Sequence, residues 1–281
     1  MGGLRKEELL GILNELSRKT NEEWMRSLSK RKVEEAVFHD SSHQRDVDQE
    51  NKKYYSIASS SDDYLYRWID ELSPGAVVLD YACGNGMCAV RAAEAGADLS
   101  IGIDISYQSI FNARTIAEER RLRDNLFFFQ GDCESTNLPD GSIDLAVCSG
   151  MLHHLNLSFA LPELRRILKP GGKIIVNEAL NYNPIIKIYR KLTPHLRTKF
   201  ESEHIFGKKD MEFAAHFFNI EEVRYWHLLS ICAVPFRKTF AFPVMLRALR
   251  RIDSVLLAIP GIRLMAWQIT FVMEKPLQVD A

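Results

Sequence analysis

The sequence predicts a three-layer α/β fold on three observations. Short apolar runs recur along the middle of the chain with helical stretches between them, the first run ends in a carboxylate and a glycine turn, and the second ends in another acidic residue. The first run is the most informative. In VLDYACGNG, Val78 to Gly86, the residues Val77, Val78 and Leu79 supply a buried strand, while Gly84 and Gly86 allow a tight turn whose backbone comes close to a ligand. A helix starts near Met87. Asp80, four residues before Gly84, stands where a carboxylate holds an ammonium or shapes the loop through backbone N–H groups. Pyrophosphate would be a poor neighbour for it. The same turn also fits G-x-G-x-x-A through Gly84, Gly86 and Ala89, so the glycines alone leave a nicotinamide-dependent oxidoreductase open.

The second strand, Leu99 to Ile103, ends in Asp104, where an acidic side chain commonly takes both hydroxyls of a ribose. The third, Phe127 to Gln130, precedes Gly131, Asp132 and Cys133, and a short polar side chain there can meet an adenine edge. The fourth, Ile143 to Cys148, lies between the turn LPDGS and the segment SGMLHHL. A helix from Ala160 to Leu168, the loop KPGG (Lys169 to Gly172) and a fifth strand from Lys173 to Asn177 follow.

With these parts in order, the chain resembles the class I S-adenosylmethionine-dependent methyltransferases, and within them the branch that includes the quinone methyltransferases. The matching residues are DYACGNG, IGIDIS, GDCESTNLPDGSIDLAVCSGMLHHL and LKPGGKIIV, from about residue 76 to 178. The resemblance implies a Rossmann-like, seven-stranded, mostly parallel sheet in three layers, with a helical N-terminal cap at 1–70 and the main domain at 71–281. It implies that two further strands, for which Ile220 to Leu228 and Trp267 to Met273 are the candidates, finish the sheet as an antiparallel pair. It also implies methyl transfer from S-adenosylmethionine, with S-adenosylhomocysteine as product, to an oxygen, carbon or nitrogen of a small or lipid-like acceptor. Carried over by position, Gly84 and Gly86 approach the amino-acid part of the cofactor, and Asp80 organises that loop or its ammonium contacts. Asp104 binds the ribose hydroxyls with Ile105 packing on the adenine, Asp132 meets the adenine amino group with Cys133 beside it, and Ser149 lies close to the methionine part. Tyr55 comes from a region whose aromatics often close over the cofactor in related enzymes.

Outside residues 76–178 the pattern is coarser. Leu9, Leu10, Leu13 and Leu16 fall at helical spacing, and a second helix includes Trp24 to Val37. His39, Asp40 and His43 invite a metal reading, but a polar helix end running into a loop accounts for them, and no metal is expected. Asp62 or Ser61 is expected to cap the helix that leads to the first strand. A lid at 181–215 carries Lys187, Arg190, Lys191, Arg197 and Lys199 with Tyr182, Tyr189 and His195 interleaved; it suits an acidic or phosphorylated acceptor, or is simply a solvated face. An insertion at 233–264 contains a helix over 244–259 with Met245, Leu249, Ile252 and Leu256 on one face and Arg247, Arg250 and Arg251 on the other. Such a helix either packs on the core or lies against an anionic membrane surface. Pro260, Gly261 and Arg263 speak against a transmembrane span.

With 36 basic and 37 acidic residues, the charge balance gives no reason to expect a nucleic-acid partner. Five cysteines form no C-x-x-C pair and make an odd count, which fits reduced thiols in a cytoplasmic protein. The N-terminus is charged and amphipathic, without the apolar core of a signal peptide. A methyl group on a sulfonium is already activated, so alignment and water exclusion are most of catalysis. An oxygen nucleophile of high pKa, or an activated carbon, needs a proton acceptor as well. His154 is the first candidate, followed by His153 and Glu178. A non-catalytic module that keeps the cofactor pocket is the alternative from outside enzymology.

Overall fold

The structure, a computed structural model, describes residues 6–18, 21–44, 47–122 and 124–277, without the side chains of 42–52, so His43 lies outside the described side chains. Seven strands form one sheet: β1 (Val77–Tyr81), β2 (Leu99–Asp104), β3 (Leu126–Gln130), β4 (Ile143–Ser149), β5 (Leu168–Ala179), β6 (Asn219–Trp226) and β7 (Gln268–Glu274). Their order is β3-β2-β1-β4-β5-β7-β6. The first five are parallel, and β7 runs antiparallel to both β5 and β6. The fold is the predicted Rossmann-like one, and its chemistry explains the legible runs. A parallel strand is covered on both faces, so it reads as continuous apolar sequence rather than alternation, and all six residues of β2 are buried. The strand order reverses between β1 and β4, and in open α/β sheets ligands bind at the carboxyl ends of the strands beside such a reversal.

The flanking helices are α1 (Lys6–Leu16), α2 (Asn21–Ser27), α3 (Lys30–Gln44), α4 (Val47–Leu72), α5 (Met87–Glu94), α6 (Tyr107–Glu119), α7 (Leu157–Ile167), α8 (Pro184–Leu192), α9 (Lys199–Glu203), α10 (Lys208–Ala214) and α11 (Phe242–Leu256). Leu9 and Leu13 of α1 join the main core, beside Tyr81, Phe129, Phe206 and Phe271.

Four local expectations are corrected. The helix read over Trp24 to Val37 is interrupted after Ser27, whose hydroxyl turns back to the Trp24 carbonyl at 2.6 Å. His39 and Asp40 do not end a helix, because α3 continues to Gln44. Asp40 caps another helix instead, accepting from the Gln108 N–H at 3.0 Å and the Ser106 hydroxyl at 2.6 Å at the start of α6. Ser61 and Asp62 cap nothing, since α4 passes through them without a break. Ser61 is fully buried with its hydroxyl 2.7 Å from Gln268 Oε1 on β7, a tertiary contact that outweighs its local preference for a cap. The KPGG segment lies inside β5, which starts at Leu168; Gly171 N–H and Gly172 C=O pair with Lys275 at 2.9 Å each.

α11 packs on the core through Leu246, with Phe242, Met245 and Leu249 partly buried beside it. Arg250 turns inward and donates to the Ile57 carbonyl at 2.8 Å, so it does not share an outer face with Arg247 and Arg251. Val244, Ile252 and Val255 stay exposed. Among the described residues no helix is long and apolar enough to cross a membrane.

Candidate functional site

β1 delivers Asp80 and then a turn through Ala82, Gly84 and Gly86, all with positive φ, before α5 begins. Asp80 is 3% exposed and accepts from the Ala89 N–H at 2.9 Å, inside the first turn of α5. It thus shapes the loop from beneath and does not line the cavity described below. Burial pushes its carboxyl up to about 7, against the pull of the Ala89 hydrogen bond.

The two glycines have different reasons. A Cβ on Gly86 would meet the Phe128 ring at 2.5 Å and Ala113 at 3.0 Å, so Gly86 lets α5 and the turn pack against β3 and α6. Gly84 has nothing within 4 Å of a Cβ position, and it borders the cavity where Gly86 does not. Its N–H donates to Asp104 Oδ2 at 2.8 Å, while Asp104 Oδ1 accepts from Ser106 N–H at 2.8 Å. Two backbone donors therefore hold the Asp104 carboxylate at the end of β2, where it borders the cavity described next.

Around this turn lies a cavity of about 280 Å³, lined by Gly84, Asp104, Ile105, Asp132, Cys133 and Ser149 among others. Asp132 accepts from Glu134 N–H at 2.9 Å and from Lys32 Nζ at 2.5 Å. Cys133 is buried, and desolvation holds its thiol well above the ordinary range. α3 forms the opposite wall through Arg31, Lys32, Glu35 and His39. None of these four was picked out from the sequence as a cofactor-side residue. The spacing of Lys32, Glu35 and His39 places them on one helical face, which was the available signal.

A second cavity, of about 360 Å³, opens on the other side of Ser149, Gly150, His39 and His154, which line both. Tyr54, Tyr189 and Trp267 supply aromatic wall, and the lid contributes Arg190 and Arg197. Tyr55, carried over as a cofactor contact, lines this second cavity rather than the first and is 61% exposed. Both volumes are in the range or just below the range of small-molecule sites, roughly 300–1,000 Å³.

Between the cavities stands a chain of imidazoles and carboxylates. His153 and His154 sit on a single 3₁₀ turn, Leu152–His154, directly after β4. Glu178, at the end of β5 and 1% exposed, accepts from Met151 N–H at 2.7 Å and Leu152 N–H at 2.5 Å, and meets His153 Nδ1 at 2.8 Å. Burial works to raise the Glu178 carboxyl, but His153 and the two N–H donors outweigh it and hold it below its ordinary value. Burial likewise opposes the His153 charge, and Glu178 overcomes it, so the His153 pKa is raised. Glu178 is consequently a positioning residue for the 3₁₀ turn, enclosed away from both cavities.

His154 behaves in the opposite way. Burial, with the neighbouring His153 charge, lowers its pKa despite a 3.2 Å contact from Nδ1 to Glu35 Oε2. Glu35 also receives the Thr198 hydroxyl at 2.5 Å and lies 3.6 Å from His39 Nε2. Burial would raise its carboxyl, yet these partners keep it well below the carboxylate range. An ionised carboxylate only accepts hydrogen bonds, so Nδ1 of His154 carries the ring proton and Nε2 of the neutral ring keeps a lone pair. Glu35, His39 and His154 also bring three ligand-type atoms within 4.8 Å of one another. Their mutual hydrogen bonds and ion pairs account for that closeness.

Comparison with known proteins agrees with this geometry. Residues 78–172 match the family model described as a methyltransferase domain. The ribosomal protein L11 methyltransferase of Burkholderia vietnamiensis (strain G4 / LMG 22486) is 36% identical over 114 residues, which are 40% of this chain and 35% of that protein. The match thus spans about a third of the length of such curated relatives. Among solved structures, a geranyl diphosphate C-methyltransferase from Streptomyces coelicolor A3(2) superposes with a TM-score of 0.55 at 15% identity, covering 77% of this chain and 76% of that one. The cyclase SpnF superposes with a TM-score of 0.53 at 21% identity, covering 76% and 81%. These structural likenesses establish the fold.

Proposed function

We propose that this chain, whose residues 78–172 match a methyltransferase domain, is a class I S-adenosylmethionine-dependent methyltransferase that transfers the cofactor's methyl group to a small or lipid-like acceptor held in the second cavity. The observation that carries this reading is the pair of cavities meeting at His39, Ser149, Gly150 and His154. Cofactor and acceptor sites that share one short wall place a donor atom and a nucleophile within reach of each other.

The residues fit the cofactor. Gly84 leaves open backbone beside the cavity, Asp104 at the end of β2 and Asp132 two residues beyond the end of β3 bring carboxylates suited to hydroxyl and amino groups, and Ile105 offers an apolar surface for a ring. When bound, the sulfonium supplies a methyl group already activated toward nucleophiles. The chain's own work is to align and to exclude water: α3 covers the first cavity, and α8 with the turn to Arg197 covers the second. His154, neutral with its Nε2 lone pair available, takes the acceptor's proton where the acceptor has one to lose. His153, tied to Glu178, holds the 3₁₀ turn that presents His154.

A nicotinamide cofactor suits the site poorly. Its pyrophosphate would be expected at the start of α5, yet Asp80 already occupies the Ala89 N–H and brings a carboxyl group there. Calorimetric titration with S-adenosylmethionine and S-adenosylhomocysteine tests the proposal. Micromolar binding, weakened by about 1–3 kcal/mol in Asp104→Ala through lost charge-assisted hydrogen bonds, is the expected result. Binding of NADH with no response to either sulfur ligand would overturn it. Cofactor binding without turnover across an acceptor panel would leave a binding module on this fold.

A further inference from the structure

The second cavity contains a cation, Arg190, that is in direct contact with no carboxylate among the described residues. Arg190 projects from α8 into the lining, and its Nη1 donates to the Leu180 carbonyl at 3.1 Å. Among the described residues no carboxylate forms an ion pair with it. Its neighbour Arg197 is satisfied: its Nε lies 3.4 Å from Glu201 Oε1, and its Nη1 donates to the Thr193 carbonyl at 3.0 Å. Glu201 is drawn on a second time by His153, 3.9 Å away. Asp62, the other carboxylate in the lining, has its carboxyl pushed up to about 6 by burial and by Asp63, and it is not among the charges that act on Arg190.

Cations gather at this end of the cavity. Lys53 Nζ lies 4.5 Å from the Tyr189 ring centroid, and the Arg197 guanidinium 5.7 Å from the same ring. Burial and Arg197 depress the Arg190 pKa to about 10, and the more distant charges of Glu201 and Glu178 offset this only in part. Beside it the wall is aromatic: Tyr54 stacks at an angle on Tyr189 at 4.8 Å and on Trp267 at 5.8 Å. A buried cation without an acidic partner is costly, whereas a planar guanidinium facing an incoming carboxylate or phosphate makes two parallel hydrogen bonds.

We infer that the acceptor carries an oxyanion, a carboxylate or a phosphate, on an apolar or aromatic body, and that Arg190 anchors it. This rests on reading the second cavity as the acceptor site. The anion is bound at the lid, and the body lies along Tyr54 and Trp267 toward His154, where the cofactor cavity begins.

The test is titration of the full chain, saturated with S-adenosylhomocysteine, with benzoate, phenyl phosphate and benzyl alcohol. Binding of one or both anions but not of the alcohol is expected, and the two anions distinguish a carboxylate site from a phosphate site. Arg190→Gln should weaken the anion roughly ten- to hundredfold, and Arg190→Lys, which keeps the charge but loses the fork, should fall between. S-adenosylhomocysteine affinity should stay unchanged in both variants, because Arg190 does not line the first cavity. Equal binding of alcohol and anions, absence of anion binding, or anion binding indifferent to Arg190→Gln overturns the inference while leaving the methyltransferase reading intact. Loss of S-adenosylhomocysteine binding in the unmodified protein would instead strike that reading.

Discussion

The two cavities are built by different means. The first rests on the ends of β1 to β4, where backbone donors fix its carboxylates: Gly84 and Ser106 hold Asp104, and Glu134 holds Asp132. The second is assembled largely from side chains of α4, the lid and β7, held by rings and guanidinium groups. A site fixed by backbone geometry at strand ends tolerates little variation. A site made of helix and loop side chains can be refitted to another acceptor without disturbing the sheet. On the proposed function, the difference puts the shared chemistry in the first region and the choice of acceptor in the second.

His154 belongs to both regions, so its removal is the sharpest way to break the comparison. His154→Ala should lower kcat by roughly 10²–10⁴-fold, the range for loss of a general base. S-adenosylhomocysteine affinity should change little, as the carboxylates proposed to hold the cofactor, Asp104 and Asp132, are elsewhere. The depressed His154 pKa places the acidic limb of the rate profile below the ordinary imidazole value, and the rate should rise with pH through that limb as the ring loses its proton. An unchanged kcat, or a limb that persists in His154→Ala, would assign the proton transfer to another group. Single-turnover rates measured across pH with both proteins decide it.

How much of this was readable from sequence follows the same division. The strand runs, the glycine turn and Asp104 could be read because parallel strands and positive-φ turns leave local signatures. The face of Lys32, Glu35 and His39 could not be told from a solvated helix surface, since polar residues at helical spacing look alike whether they meet water or a cavity. Ser61 illustrates the limit. Its contact with Gln268 joins residues 207 positions apart, and nothing in the local sequence around α4 announces it. Glu178 was legible as important but not in its role. Its place at a strand end near two histidines suggests a base, while only the fold reveals that two backbone N–H groups and His153 already occupy it.

The His153–Glu178 pair gives the next largest effect, this time on stability. Glu178→Gln replaces a buried carboxylate beside an imidazolium, and breaking such a pair costs about 3–5 kcal/mol, of which the Gln side chain's remaining oxygen should recover part. The sign of the pH dependence follows from the two shifts. Glu178, lowered from 4.5, stabilises the fold above its unfolded value, and that contribution is lost as pH falls through the lowered one. His153, raised from 6.5, stabilises the fold below its unfolded value, and that contribution is lost as pH rises through the raised one. The gap between parent and variant in urea unfolding should therefore be widest between these two unfolded values and shrink on both sides. A gap independent of pH would mean that Glu178 acts only by accepting the Met151 and Leu152 N–H groups.

The smallest effect separates the two glycines of the turn. Gly86→Ala drives a methyl group into Phe128 and Ala113 at a positive φ, so it should lower stability by about 1–3 kcal/mol, the usual range for overpacking. Gly84→Ala meets no atom of the protein within 4 Å and bears only the positive-φ strain, about 1–2 kcal/mol. Its methyl group would nevertheless stand at the cofactor cavity, so its main consequence should be weaker S-adenosylhomocysteine binding. Denaturation midpoints and calorimetric titrations on the two variants should thus move in opposite proportion. If Gly86→Ala instead proved the poorer binder and Gly84→Ala the less stable protein, the cofactor would lie against the start of α5, and the pyrophosphate geometry that Asp80 argues against would have to be reopened.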